Sequence, residues 1–267
     1  MMHDKLAEIQ LHGGTANRGR VVRRGDTVLR PLRPTSAATH ALLNHLEDVG
    51  FDGSPRLLGI DSQDREVLTY IPGEAITPPY PAWSLTEEVL RSVAQLLRRY
   101  HEAAAGFDVT AHRWDWVPPA LFDEGLACHN DLNLDNVIFR NGRAVAMIDF
   151  DLASPGSVAW DVAGAVRLWA PLRPDRYIHD ARRGRSLQRL RTFVEAYGPP
   201  NLDAELLIWA VLLNHDWMYR LIQEGANEGN IGFAEYWRQA AHRVSATRTW
   251  YEDQHSVLVR ALREGPP

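Results

Sequence analysis

His129-Asn130-Asp131-Leu132-Asn133-Leu134-Asp135-Asn136, running into the apolar Val137-Ile138-Phe139, is the densest polar cluster in the chain. Thirteen residues after Asn136 comes Asp149, inside Ile148-Asp149-Phe150-Asp151. Between them the pattern predicts two short strands, Val137–Phe139 and Ala144–Ile148, joined at the turn Asn141-Gly142. An Asp in a tight loop orients an attacking hydroxyl and takes its proton. An Asn five residues on offers a hard oxygen, and an Asp at the end of the paired strand adds the carboxylate that magnesium favours. Phosphoryl transfer needs those parts: a cation to neutralise phosphate charge and a positioned nucleophile. A D-x-x-x-x-N on its own fills ordinary polar turns. Its joint spacing with the hairpin and with I-D-F-D carries the reading. Cys128, just upstream, reads as a small buried strand residue rather than a nucleophile.

Outward from this stretch, the first sixty residues or so read as short strands and turns. Val21-Val22, the turn Gly25-Asp26 and Val28-Leu29 predict a hairpin. A helix follows, with Leu42, Leu43, Leu46 and Val49 on one side and Gly50 at its end. Pro55–Ile60 and Glu66–Ile71 are two further strands, and Pro72-Gly73 with Pro78, Pro79 and Pro81 marks a boundary. Ser84 and Glu87 have the spacing of a capping box before a helix carrying Leu85, Val89, Val93, Leu96, Leu97 and Tyr100. Residues 107–126 are irregular. The rest is helical, over about 160–169, 187–197, 204–224 and 233–262. The fold class is α+β: a small sheet lobe, a hinge and a larger, mostly helical lobe.

Composition narrows the function. The chain has 267 residues, a hydrophobic fraction of 45% and a charged fraction of 24%, ordinary for a globular protein. The longest apolar run, Leu206–Leu213, is far short of the ~18 residues of a membrane span. A charged N-terminus and a single cysteine, Cys128, predict a cytoplasmic protein. The net charge of −5 argues against nucleic acid as a partner. Of 29 cationic residues only Lys5 is a lysine, so chemistry that needs an internal lysine is excluded.

The spacing H-x-D-x-x-x-x-N followed by I-D-F resembles the catalytic and metal loops of the protein-kinase-like superfamily, and within it the aminoglycoside phosphotransferase and choline kinase branch. The resemblance implies a two-lobed protein-kinase-like fold, with residues 1–72 as the nucleotide-binding lobe and hinge and 73–267 as the catalytic and substrate-binding lobe. It implies Asp131 as catalytic base, and Asn136 and Asp149 as ligands of Mg²⁺. It implies structural support of the catalytic loop by His129, by Asp151 and by Asp161, whose carboxylate would brace the loop near His129. ATP is the implied donor, with GTP open.

The first lobe should then hold the nucleotide. Gly13-Gly14-Thr15-Ala16-Asn17 lies between strand candidates, where a loop closes over phosphates, and it is not a P-loop. Arg30 ends the strand Thr27-Val28-Leu29 at the place where kinase-like folds carry a phosphate-binding lysine. The following helix offers His40 early and Glu47 late as a partner for that cation, and neither sits at the matching position. Leu68–Gly73 reads as the hinge, where by resemblance the Thr69 carbonyl and the Ile71 amide meet the adenine edge.

From Asp149 to Asp161 is only twelve residues, too short for the activation segment with which protein kinases bind peptides. The acceptor is therefore a small molecule. Trp114, Asp115 and Trp116 from the irregular segment, and Asp216, Trp217, Glu224, Glu228 and Glu235 from the C-terminal helices, are the candidates to touch it. Carboxylates suit a polycationic aminoglycoside, and Trp faces suit sugar rings or quaternary ammonium. The expected function is ATP- and Mg²⁺-dependent transfer to a small-molecule hydroxyl by a monomer or weak homodimer that binds neither nucleic acid nor membrane. Its rivals are a kinase of choline, homoserine or a sugar, and a nucleotide-binding pseudokinase.

Overall fold

The computed structural model describes residues 7–11, 19–198 and 202–264. Its first part is a five-stranded antiparallel sheet. Strands β1 (Glu8–Gln10), β2 (Val22–Arg24) and β3 (Thr27–Pro31) precede helix α1 (Ser36–Asp48), and β4 (Leu57–Ile60) and β5 (Arg65–Thr69) follow it, in the order β1-β2-β3-β5-β4. The β2–β3 hairpin closes on Gly25, whose φ of 59° a side chain would strain. Strand β3 is central, so alternate residues meet different surroundings: Leu29 is buried, and Arg30 stands directly across from Glu66 on β5.

The chain leaves the sheet through β6 (Glu74–Ala75). Helix α2 (Glu87–Ala104) follows, then β7 (Leu126–Cys128), β8 (Val137–Arg140), β9 (Arg143–Met147), β10 (Ser154–Gly156) and α3 (Val158–Trp169). The chain ends in α4 (Ser186–Tyr197), α5 (Ala204–Asn227) and α6 (Ile231–Arg263). The two-lobed α+β architecture expected from the sequence is the one found. Residues 107–126, read as irregular, hold two single 3₁₀ turns, at Val109–Ala111 and Ala120–Phe122.

One expectation is corrected. Thr86, not Ser84, caps α2: Thr86 Oγ1 accepts from the Val89 amide at 3.3 Å. Ser84 instead lies inside a 3₁₀ turn, Ala82–Leu85, and its hydroxyl donates to the Pro81 carbonyl at 2.8 Å. The turn displaces the helix start by one short segment, so the pair Ser84/Glu87 has the right spacing and the wrong register.

Helix α2 runs through the middle of the larger lobe, burying Val89, Leu90, Val93, Leu96, Leu97 and Tyr100. One apolar core joins it to Leu42, Leu43 and Leu46 of α1 on one side and to α3, α4 and α5 on the other. A smaller cluster gathers Met218, Leu221 and Ile222 with Trp116, Leu152 and Trp217. The β8–β9 hairpin turns at Asn141 and Gly142, both at positive φ, as such turns require. Strand β6 pairs with β8, Glu74 opposite Phe139. Gly73 is obligatory at this crossing, since a Cβ there would stand 2.4 Å from Ile138 Cγ2 and 2.7 Å from the Phe139 carbonyl oxygen. Strands β7 and β10 pair antiparallel, Cys128 opposite Ser154, which draws together the segments before Asp131 and after Asp149. Cys128 is fully buried there, its thiol donating to the Ser157 carbonyl at 3.3 Å. No helix among the described residues is long and apolar enough to cross a membrane.

Candidate active site

The loop between β7 and β8 is built around two conformational facts. Asn130 stands at a φ of 64°, a left-handed conformation that Asn tolerates better than most residues. Its amide nitrogen donates to the Leu152 carbonyl (2.9 Å) and to Ser154 Oγ (2.8 Å), tying this loop to the one after Asp149. Asp149 is also left-handed, at a φ of 65°. Two non-glycine residues at positive φ in adjoining loops are the kind of backbone strain that accompanies function.

Asp161, in the first turn of α3, clamps the loop from below. Its Oδ2 accepts from the His129 amide and its Oδ1 from the Asn130 amide, both at 2.8 Å. His101 of α2 donates from Nε2 to Oδ2 at 3.0 Å and accepts at Nδ1 from the Tyr197 hydroxyl at 2.8 Å. Burial works to raise the Asp161 pKa, but the donors His101 and His129 prevail and hold the carboxyl below the usual range. His129 is buried, which lowers its pKa despite the nearby Asp161 charge. It is neutral: Nε2 donates to the Ile148 carbonyl at 3.1 Å, and Nδ1 accepts from the Asp131 amide at 3.2 Å. His129 therefore holds the loop and has no free nitrogen for proton transfer.

Asp131 accepts from Asn133 Nδ2 at 2.6 Å on one carboxylate oxygen and from Asn136 Nδ2 at 3.0 Å on the other. Asn136 Nδ2 also meets the Asp131 carbonyl at 2.8 Å, which fixes the amide orientation and leaves Oδ1 for a ligand. Burial raises the Asp131 carboxyl well above its ordinary value, and the charges of Asp149 and Asp135 add to it. Asp149 is pushed up to about 6 by burial and by Asp151, against the pull of Arg30.

Arg30 bridges the sheet to the larger lobe. Its guanidinium donates to Glu66, to Asp151, and to Asp149 Oδ1 at 2.9 Å. Burial opposes its charge, but Asp151, Asp149 and Glu66 outweigh that and keep it protonated. The carboxylate partner sought on α1 lies instead on β5. Glu66 also takes the Nε2 proton of His40, at 2.7 Å, so His40 reaches the network through it. Glu47 pairs at the surface with Arg56, 3.4 Å away. Asp151 further accepts from Arg33, through its carbonyl at 2.6 Å.

Between the sheet and the larger lobe lies a cavity of about 280 Å³. Leu11, Val21, Val28, Leu68, Ile138 and Ile148 supply its apolar lining, Thr69, Tyr70 and Ile71 also border it, and Arg30, Asp135, Asn136 and Asp149 are its charged and amide groups. Gly13 and Gly14 lie outside the described residues.

The acceptor candidates do not gather at Asp131. Trp114 Nε1 donates to the Val109 carbonyl at 2.9 Å, and the ring packs beside Phe107 and His112. Asp115 receives the Thr35 hydroxyl at the start of α1. Asp216 is bound by His215 and Arg248. Glu224 and Glu228 are exposed near the end of α5. Trp116 and Trp217 share the smaller cluster with Leu152. Sequence reading missed Glu66, His101 and Asn130. The signal for Glu66 was available, since pairing Thr27–Pro31 with Arg65–Thr69 sets it opposite Arg30.

A model of the phosphotransferase enzyme family matches residues 103–197, the span that contains the loop and its Asp161 clamp. The trifolitoxin immunity protein of Rhizobium leguminosarum bv. trifolii is 34% identical over 199 residues, covering 72% of this chain and 74% of that one. The chain belongs to the phosphotransferase enzyme family. It shares its fold with solved kinases at low identity. A choline/ethanolamine kinase family protein from Mesorhizobium loti superposes with a TM-score of 0.65 at 17% identity, covering 97% of this phosphotransferase and 93% of that chain. Choline kinase LicA from Streptococcus pneumoniae gives 0.60 at 15%, covering 91% and 95%. APH(2")-IIa in its ternary complex with streptomycin and ATP gives 0.56 at 16%, covering 86% and 91%.

Proposed function

We propose that this phosphotransferase moves the γ-phosphoryl group of ATP directly to a hydroxyl of a small molecule, with Mg²⁺, and that the product is an inactivated toxic compound. One observation carries the reading: Asn136 and Asp149 line the same cavity as Thr69–Ile71, and Asn136 is hydrogen-bonded to the Asp131 carboxylate at 3.0 Å. The name of the trifolitoxin immunity protein supports the protective role.

The assignment of parts follows the contacts. Asp131, its oxygens fixed by Asn133 and Asn136, orients the acceptor hydroxyl and receives its proton. The apolar walls and the backbone of Thr69 and Ile71 hold the base, and no backbone carbonyl among the described residues takes the Ile71 N–H. Arg30 spends three of its five N–H donors on carboxylates, and the rest serve the phosphates. Gly13 and Gly14 are assigned to the phosphate loop, and Asp151, His129 and Asp161 to support of the site. The lobes divide at Pro72-Gly73, giving residues 1–72 and 73–267.

The donor set fits magnesium. No group of three or more His, Cys, Asp or Glu among the described residues is arranged to hold a metal unaided. Mg²⁺ needs none, because it completes its shell with phosphate oxygens and water around one or two protein ligands. Asn136 Oδ1 and the outer oxygen of Asp149 are those ligands; when bound, the ion neutralises charge on the β- and γ-phosphates.

The test is ADP release from MgATP, and in parallel MgGTP, across toxic peptides, aminoglycosides, choline, homoserine and sugars, with Asp131→Ala as control. The reading expects turnover with one acceptor class and its loss in the variant. Turnover retained by Asp131→Ala, or tight MgATP binding with no transfer to any acceptor, overturns it.

A further inference from the structure

Beyond Asp131, away from the nucleotide cavity, the larger lobe carries three arginines without carboxylate partners. Arg167 lies near the end of α3, Arg173 just after that helix, and Arg243 on α6. His215 and Tyr219 of α5 and Tyr236 and Tyr251 of α6 stand among them. Among the described residues no Asp or Glu lies within ion-pair distance of any of the three. Arg167 is 8% exposed, and its Nε has no hydrogen-bond partner. Arg243 Nε, the Tyr251 hydroxyl and His215 Nε2 are buried and unpartnered as well.

The nearest carboxylates are spoken for, including Asp180, whose charge reaches Arg173 but which is bound by Arg182. Asp216 serves His215 and Arg248. Asp131 serves Asn133 and Asn136. The cations act on one another instead: burial and then the charge of Arg243 lower the Arg173 pKa. His215 gives no relief, since burial with Arg167 and Arg248 holds its pKa down to about 3, keeping the ring neutral. A guanidinium stays protonated in proteins, so it cannot escape by losing its charge. Neighbouring guanidinium groups without ion-pair partners, one of them buried and two half-buried, flanked by phenol hydroxyls, are a donor set that carboxylates and phosphates bind, through paired N–H donors. Arg167 also belongs to the Asp131 surroundings, being the cation whose charge acts on that carboxylate.

We infer that the acceptor of this phosphotransferase is an anion, a hydroxyl-bearing carboxylate or phosphate ester, whose anionic group sits on Arg167, Arg173 and Arg243 while its hydroxyl faces Asp131. The inference rests on the reading of Asp131 as the base. The acceptor oxygen forms a bond to the γ-phosphorus as the bond from that phosphorus to the β-bridging oxygen breaks. ADP leaves, and the hydroxyl proton passes to Asp131 and then to solvent. A polycationic acceptor is disfavoured, because it would bring further positive charge to a region that already lacks counter-ions.

The experiment measures thermal stability of the full chain with MgADP present, adding malate, glycerol 3-phosphate or choline at equal ionic strength. Malate or glycerol 3-phosphate should raise the melting temperature and choline should not. Arg167→Gln and the less buried Arg243→Met should each weaken the apparent affinity for the anion at least tenfold, leaving the shift given by MgADP itself intact. Response to malate alone points to a carboxylate acceptor, and to glycerol 3-phosphate alone to a phosphate ester. No shift with either anion, a larger shift with choline, or anion binding indifferent to both variants overturns the inference. Failure of MgADP to stabilise the protein at all instead sinks the underlying nucleotide reading, which separates the two failures.

Discussion

Arg30 occupies a strand position at which a single cation must satisfy carboxylates from both lobes. Its planar fork reaches Glu66, Asp149 and Asp151 at once, a task for which the point charge of lysine is ill shaped. Glu66 is 1% exposed, so removing the guanidinium leaves buried negative charge with only His40 beside it. Arg30→Ala is expected to cost roughly 3–5 kcal/mol, measured by urea unfolding, and Arg30→Lys less. If Arg30→Ala unfolds at the wild-type urea concentration, the network contributes no net stability. For Asp131→Asn, turnover should fall by about 10²–10⁴-fold while nucleotide titration is unchanged. The convergence of Asp131, Asn136 and Asp149 is legible in the sequence because a hairpin of fixed short length joins them. Glu66 is hidden by distance, 36 residues from Arg30, and shows only once two strands are paired in register.

At the scale of elements, long amphipathic helices and the two hairpins are readable, and very short strands are not. Glu74–Ala75 and Ser154–Gly156 have two and three residues, too few for an alternation to appear. They exist because tertiary neighbours complete them. The start of α2 shows the converse, a capping pattern overruled by a 3₁₀ turn. Thr86→Ala should cost about 1 kcal/mol in thermal or urea unfolding. If Thr86→Ala costs nothing while Ser84→Ala costs about that much, Ser84 rather than Thr86 caps the helix.

Helix α3 also carries the clamp. Its Asp161 has a folded pKa below the unfolded value of about 3.9. Near and below pH 4 the unfolded chain therefore binds more protons at this site than the folded one, and stability rises with pH. The contribution is full above about pH 4 and is lost as pH falls through the folded value. Asp161→Asn should lower stability at pH 6 and flatten the acid limb of a urea-midpoint profile between pH 6 and pH 3. A limb as steep as in the wild type would place the acid sensitivity in other carboxylates.

Across the whole molecule, one apolar core links α1 to the larger lobe while polar contacts bridge the cleft. A ligand in the cavity touches both sides, so it should stabilise the fold as a unit. At a hundredfold excess over its Kd, MgATP should add about 2.7 kcal/mol, seen as a higher melting temperature. A nucleotide that binds but leaves the melting temperature unmoved would mean the cavity is not its site. The overall architecture is legible from length, breakers and the Asp131–Asp149 motif. The gathering of Arg167, Arg173 and Arg243 is not, because they lie on separate segments and meet only in three dimensions.

The Cys128 thiol, buried between β7 and β10 and bonded to a carbonyl, is closed to reagents in the folded protein. Burial also keeps it protonated. With no other cysteine in the chain, the native protein is a silent background for maleimide spin labels. Cysteines introduced at the exposed Leu58 of the sheet and Ile231 of α6 would then form a ruler across the cleft. Dipolar spectroscopy between them reads opening and closing directly, with no need to engineer the native thiol away.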